Sequence, residues 1–341
     1  MKYLLSFIGI FCGGFVLTGC SVIDDDLSAC ESDFHVSYEV KLRTNITTQI
    51  ETVLRSRFET NVANLLEDSL KAIFREYAHD VDLSFYVDNE RRFHDSKLME
   101  ANQATYELEL PADNYRHLAL ANIAEEDEVV ITHSDWAPRS FLEQVAGDTI
   151  DGHKTGLFSA RQNMNVQGTT DQTFDVTLYM VNSASILVLR TDNASYRDCR
   201  VFSSDFADGF LVNDSVYTFG NNPTVRDLHV TKPPKDREIF YAVTFPSHDT
   251  LEEAQARTRA DGSLTEDPAE EYIWRKFVYV TLPDGSVTRT VIYVKQPLNA
   301  GQIFIIYAYL TPNGEVYSSN MEVSTSVTLN WKPGLEFETS K

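Results

Sequence analysis

The sequence predicts a mainly β protein built from two β-sandwiches in tandem, the first with a helical insertion. Three observations carry that prediction. Residues 34–43 and 321–331 alternate apolar and polar side chains with period two, the pattern of a strand with one face on a core and one in water. Further strand-like segments follow at short spacing, and in the second half no strong helical period separates them. Pro283-Asp284-Gly285 and Pro312-Asn313-Gly314 sit between neighbouring strands, where hairpin turns belong. The 341 residues suffice for about two domains, at roughly 100–200 residues each.

The N-terminus comes first and lies outside the fold. Lys2 precedes an apolar run from Leu4 to Val16. That run is shorter than the roughly 20 residues a spanning helix needs, and it has the dimensions of a signal-peptide core. Leu17-Thr18-Gly19-Cys20 then supplies an apolar residue, two small residues and a cysteine. This resembles a bacterial lipobox. The resemblance implies cleavage after Gly19, a diglyceride on the Cys20 thiol and a palmitate-type chain on the new amino group. Two or three acyl chains hold a protein firmly where one holds it reversibly. Residues 1–19 are thus expected to be a lipoprotein signal and residues 20–30 a lipidated acidic tether. Asp24, Asp25 and Asp26 read either as a solvated spacer or as a sorting signal for export to the cell surface.

The first domain is expected over 31–182. Phe34, Val36, Tyr38 and Val40 share one face of its first strand. Apolar residues then recur at steps of three or four from Ile50 to Tyr77, which predicts one or two amphipathic helices near 50–78, packed on the domain's own sheet. Strand patterns resume at 81–87, before an Asp88-Asn89 turn, and continue at 104–110 and 115–123. A long polar segment spans about 124–170, and 174–181 closes the half. The second domain, 183–341, opens with Ile186-Leu187-Val188-Leu189. It continues through strands near 209–219, 237–246, 271–282, 287–295, 302–310 and 321–331. The acidic, polar stretch 249–270 reads as a mobile loop.

Composition narrows function. With 29 Lys and Arg against 51 Asp and Glu, the formal charge is −22, which disfavours a nucleic-acid partner. The same charge repels an anionic bilayer, so membrane attachment requires the lipid. Cys12 leaves with the signal and Cys20 is acylated. That leaves Cys30 and Cys199 as a disulfide pair or as two separate thiols.

No nucleophile elbow, zinc-protease motif, C-x-x-C pair, P-loop or dinucleotide fingerprint occurs. The eight histidines are scattered without paired spacing. His133 near Asp135 reads as half of an acid–base pair or, with more weight, as a surface loop histidine. Trp136, Tyr115 and Tyr86 read as a sugar-stacking platform or, with more weight, as core and strand-face residues. Asp284-Gly285 and Asn313-Gly314 are explained by turn chemistry without calcium. The expectation is therefore no enzyme, no cofactor and no metal site.

Several segments together resemble the FimB-like fimbrial subunit family, the lipoprotein anchors and accessory subunits of type V pili. They are the lipobox with Asp26-Leu27-Ser28-Ala29-Cys30, the strand Val81-Asp82-Leu83-Ser84-Phe85-Tyr86-Val87-Asp88, the block Leu108-Glu109-Leu110-Pro111-Ala112-Asp113-Asn114-Tyr115, and Thr155-Gly156-Leu157-Phe158. Asp113 stands where many members carry glycine, and the helical stretch at 50–78 departs from the pattern. The resemblance implies two transthyretin-like sandwiches and a protein lipid-anchored at the outer membrane, exposed at the surface. It implies pilus stalk subunits as partners, assembly by adding a strand to a sheet edge, and a role in tethering the fibre and limiting its length. The alternative is a surface lipoprotein that binds a glycan or a host protein through loops at the sandwich ends, as an adhesin or tip-like subunit.

Overall fold

The computed structural model describes residues 33–43, 50–319 and 323–331, apart from 51, 58, 72, 74–76, 102, 169, 193 and 261–270. Cys20, Asp24, Asp25, Asp26 and Cys30 lie outside the described residues.

The chain is mainly β. In order it forms β1 (Asp33–Arg43), a 3-10 turn (Arg55–Arg57), α1 (Thr60–Lys71), β2 (Asp80–Val87), β3 (Glu90–Leu98), β4 (Thr105–Pro111), β5 (Asn114–Ala121), β6 (Val129–His133), β7 (Ser140–Gln144), β8 (Thr149–Asp151), β9 (Phe158–Asn165) and β10 (Gln172–Met180). The second half follows with β11 (Ser183–Arg190), β12 (Asp198–Ser204), β13 (Gly209–Leu211), β14 (Val216–Thr218), β15 (Thr224–Arg226), β16 (Leu228–His229), β17 (Arg237–Thr244), α2 (Leu251–Ala260), β18 (Trp274–Thr281), β19 (Val287–Val294), β20 (Ile303–Leu310), β21 (Val316–Ser318) and β22 (Val323–Trp331).

These strands assemble into four sheets. A seven-stranded sheet runs β3-β2-β5-β9-β10-β1-β4, and a four-stranded sheet runs β14-β13-β7-β6. A five-stranded sheet runs β16-β17-β11-β20-β21, and a six-stranded sheet runs β22-β19-β18-β12-β15-β8. β1 lies inside its sheet, parallel to β10 and antiparallel to β4. The expected turns close their hairpins. Asp88 and Asn89 both have positive φ (49° and 72°), the backbone that suits a two-residue link between twisted strands. Gly285 and Gly314 likewise sit at φ 87° and 81°.

Burial explains the layering. β11 is buried on both faces, as its unbroken apolar run allows. Ala184, Ile186 and Val188 join the core under the seven-stranded sheet, while Leu187 and Leu189 join the core under the six-stranded sheet. The five-stranded sheet is therefore the middle layer between two others. α1 turns Val62, Ala63, Leu66 and Leu70 into the first of these cores. Each of the valine and leucine side chains contributes about 1.5–3 kcal/mol by leaving water. On the opposite face of the seven-stranded sheet, Tyr86, Leu118 and Leu120 pack with Leu142 and Phe210 of the four-stranded sheet.

Two expectations change. The stretch 249–270 is not a loop over its first half, because Leu251–Ala260 is helical, with Thr250 Oγ1 accepting from the Glu253 amide at 3.3 Å. A threonine cap and two acids in the first turn favour that helix despite its polarity. Residues 261–270 lie outside the described residues. The chain does pass from one strand to the next at Asn182-Ser183, but pairing crosses that point. β7 pairs with β13, placing Leu142 opposite Phe210. β8 pairs in parallel with β15, placing Ile150 opposite Val225. Asn182 is itself buried and takes the amides of Leu157 and Gly301, one on its side chain and one on its carbonyl.

Candidate functional site

Two features bear on function: the first and last described strands, β1 and β22, which differ in how their edges are paired, and a polar cluster where the β2–β3 hairpin meets β6.

β1 is the strand through which the N-terminal segment enters the fold. Val36 pairs with Gln172 on one side and Leu108 on the other, so both backbone edges are occupied. Val36 and Val40 are buried on the core face, which is the face their alternation predicts. β22, in contrast, is the outer strand of the six-stranded sheet. It pairs antiparallel with β19, with an irregularity between Val287 and Arg289.

The polar cluster stands on strand geometry. Asp82 and Ser84 point to the same face of β2, and their antiparallel partners on β3 are Ser96 and His94. The four-stranded sheet covers this face, with His133 of β6 opposite Ser140 of β7. The hairpin is held there by Arg91, whose guanidinium is 2.5 Å from Asp135 and whose amide donates to the Asp135 carbonyl at 2.9 Å. Tyr86 Oη also donates to the Arg139 carbonyl at 3.3 Å.

Asp82 is the centre of the cluster. Its Oδ2 lies 3.0 Å from His94 Nε2 and accepts from Ser96 Oγ at 2.9 Å. Its Oδ1 lies 3.2 Å from His133 Nε2. His133 Nδ1 is 2.9 Å from Ser140 Oγ. Burial works to raise the Asp82 carboxyl, but the facing His133 and His94 outweigh it and hold the group below its ordinary range. Among the described residues, Asp82, His94 and His133 are the one group of three potential metal ligands whose donor atoms all lie within 4.8 Å of one another.

This cluster is absent from the sequence-based expectations. The three residues are 12 and 39 positions apart along the chain and share no motif spacing. The pairing of β2 with β3 and the packing of a second sheet bring them together. His133 does not pair with Asp135, which is engaged with Arg91 instead. The sugar-stacking platform is likewise not formed. Tyr86 and Tyr115 are buried, and Tyr115 Oη donates to the Pro111 carbonyl at 2.9 Å. Trp136 is 78 % exposed. Cys199 is a free thiol on β12, pushed up in pKa by burial, opposite Val280 of β18.

Comparison with known proteins follows from this architecture. Among solved structures, the fold is similar to a Bacteroides thetaiotaomicron protein provisionally described as polysaccharide binding, at 13 % identity and TM-score 0.46, covering 85 % of this chain and 99 % of that one. It is also similar to the fimbrial anchor protein Mfa2 of Porphyromonas gingivalis, at 11 % identity and TM-score 0.46, covering 88 % and 100 %. The tip fimbrial protein Mfa3 of the same organism gives 11 % identity and TM-score 0.40 over 88 % and 100 %. No curated protein matches the chain in sequence. The profile of the fimbrillin-A associated anchor proteins Mfa1 and Mfa2 matches residues 35–272, from the start of β1 to the threshold of β18. With most of its length inside that match, the chain belongs to the fimbrillin-A associated anchor protein family.

Proposed function

We propose that this protein is a lipid-tethered fimbrial anchor or accessory subunit, held in the outer membrane through Cys20 and joined to the pilus stalk by strand-to-edge contact. Membership of a fimbrial anchor family places its work at the cell surface or envelope and in fimbrial assembly, and suggests a structural rather than a catalytic role. The observation that carries the finer reading is the position of β1. The tether from Cys20 leads to a strand flanked by β10 and β4, so a link to the lipid is a link to a strand paired on both edges, next to the last in its sheet. Cutting after β1 would sever that link, so β1 is kept and the C-terminal segment 321–338 is the face offered to the stalk. β22, at the outside of its sheet, suits main-chain pairing with an added strand.

The test is electron microscopy of cells carrying Cys20→Ala, with the medium examined for shed fibres. Loss of cell-attached fibres, or long free fibres in the medium, is the expected result. Fibres unchanged in both places would overturn the anchor reading. Mature protein cleaved between Cys30 and Ile50 would overturn the retention of β1. A second reading, a surface lipoprotein that binds a glycan or host protein, draws on the exposed indole of Trp136. Quenching of its fluorescence on addition of a glycan would favour that reading.

A further inference from the structure

We propose that Asp82, His94 and His133 form a binding site for a divalent transition-metal ion, zinc by the chemistry of its donors. Two imidazoles and one carboxylate are the ligand set of three-ligand zinc sites, and imidazole selects zinc over calcium or magnesium. Ligand atoms on a tetrahedral zinc, with bonds of about 2.0–2.1 Å, stand roughly 3.3 Å apart. The two His–Asp separations are 3.0 and 3.2 Å, and all three donors lie within 4.8 Å. Closing the remaining gap falls to His94. It sits on the outermost strand of its sheet with a side chain 34 % exposed, so its ring has room to turn inward.

The surroundings of His133 decide which of its ring nitrogens is open to a cation. His133 Nε2 and Asp82 Oδ1 are both shielded from solvent and face each other at 3.2 Å. Ser140 Oγ stands at hydrogen-bond distance from the other ring nitrogen of His133. With the ring proton on that side, Nε2 carries the lone pair through which a neutral imidazole binds a metal. With the proton on Nε2 instead, the ring donates to Asp82 and accepts from the Ser140 hydroxyl, which is the metal-free arrangement. The supporting contacts suit a metal site: Ser140 orients His133, and Ser96 donates to the Asp82 oxygen that faces His94. The ion would tie β2 and β3 of one sheet to β6 of the sheet packed on it. The His94 side faces solvent, which gives both an entry path and a fourth coordination position.

Hydrogen bonds between the imidazoles and Asp82 hold the cluster without a metal, and the experiment separates the two. The purified full chain is stripped with EDTA and titrated with zinc chloride by calorimetry, and with cobalt(II) by absorption. One ion per chain, visible cobalt bands and a zinc-dependent rise in melting temperature are expected. His94→Ala, on the edge strand, should weaken zinc binding about tenfold or more and remove the zinc-dependent rise in melting temperature. His35→Ala, an exposed histidine on β1, should change nothing. A wild-type chain that binds no zinc, or zinc binding undiminished in His94→Ala, would overturn the site.

Discussion

Glu59 and Arg237, 178 residues apart in sequence, meet with Arg237 Nη1 2.6 Å from Glu59 Oε2. Glu59 directly precedes α1 and Arg237 opens β17, so the pair clips the helical layer of the first half to the middle sheet of the second. Both side chains are about four-fifths shielded, at 18 % and 21 % exposure, which limits solvent screening. Glu59→Gln keeps the shape and removes the charge. It should lower stability by about 1 kcal/mol, read as a shifted urea midpoint at unchanged slope.

Lys276 and Asp227 form an ion pair with no exposure on either side chain, and Ser203 bonds to both. Burial pulls the lysine's pKa down while the aspartate supports its charge. Lys276→Met leaves a buried carboxylate without its partner and should cost about 3–5 kcal/mol. The double variant with Asp227→Leu should recover much of that loss. If the single and double variants melt alike, the pair is not what the lysine contributes.

His153 is fully buried against the Phe245 ring, and burial pushes its pKa down to about 3. The fold therefore holds the neutral form, whereas the unfolded chain protonates near pH 6.5. The unfolded state binds the extra proton in that window, so stability is full above pH 6.5 and falls progressively from there toward pH 3. His153→Leu should flatten this part of the acid limb in a series of melts, even where it lowers stability at neutral pH.

Gly209 sits where β13 meets β7. A Cβ there would lie 2.6 Å from Thr218 Oγ1 and 2.7 Å from the Phe141 ring. Gly209→Ala should force that seam apart and cost about 1–3 kcal/mol. Limited proteolysis should then cut first between residues 129 and 151, the strands that reach across from the other half. Unchanged digestion would show that the seam tolerates a methyl group.

Much of the strand framework was legible. β1, β2, β4, β5, β10, β11, β17 to β20 and β22 announce themselves through alternation or a dense apolar run, because burial of one or both faces demands it. β3 was not legible. Its residues, Glu90 to Leu98, are mostly charged and half or fully exposed, as suits an edge strand whose order comes from its neighbour and from the Asp88-Asn89 turn. β6 to β8, hidden in the polar stretch 124–170, and β15, a three-residue strand, exist through partners far along the chain. Local pattern carries no trace of such partners. The same reason hid the Asp82, His94 and His133 cluster, whose members meet only after two sheets have formed and packed.

The placement of β1 has a consequence for force. In the proposed anchor, a fibre dragged by flow would load the chain through the residues that precede Asp33, and so through this strand. Its eight paired residues on β10 and seven on β4 lie along the direction of a pull on Asp33. Both ladders are then loaded in shear, with their bonds sharing the tension at once rather than opening one after another. An edge strand peeled from its end would yield bond by bond, whereas β1 resists as a rivet does, held from both sides.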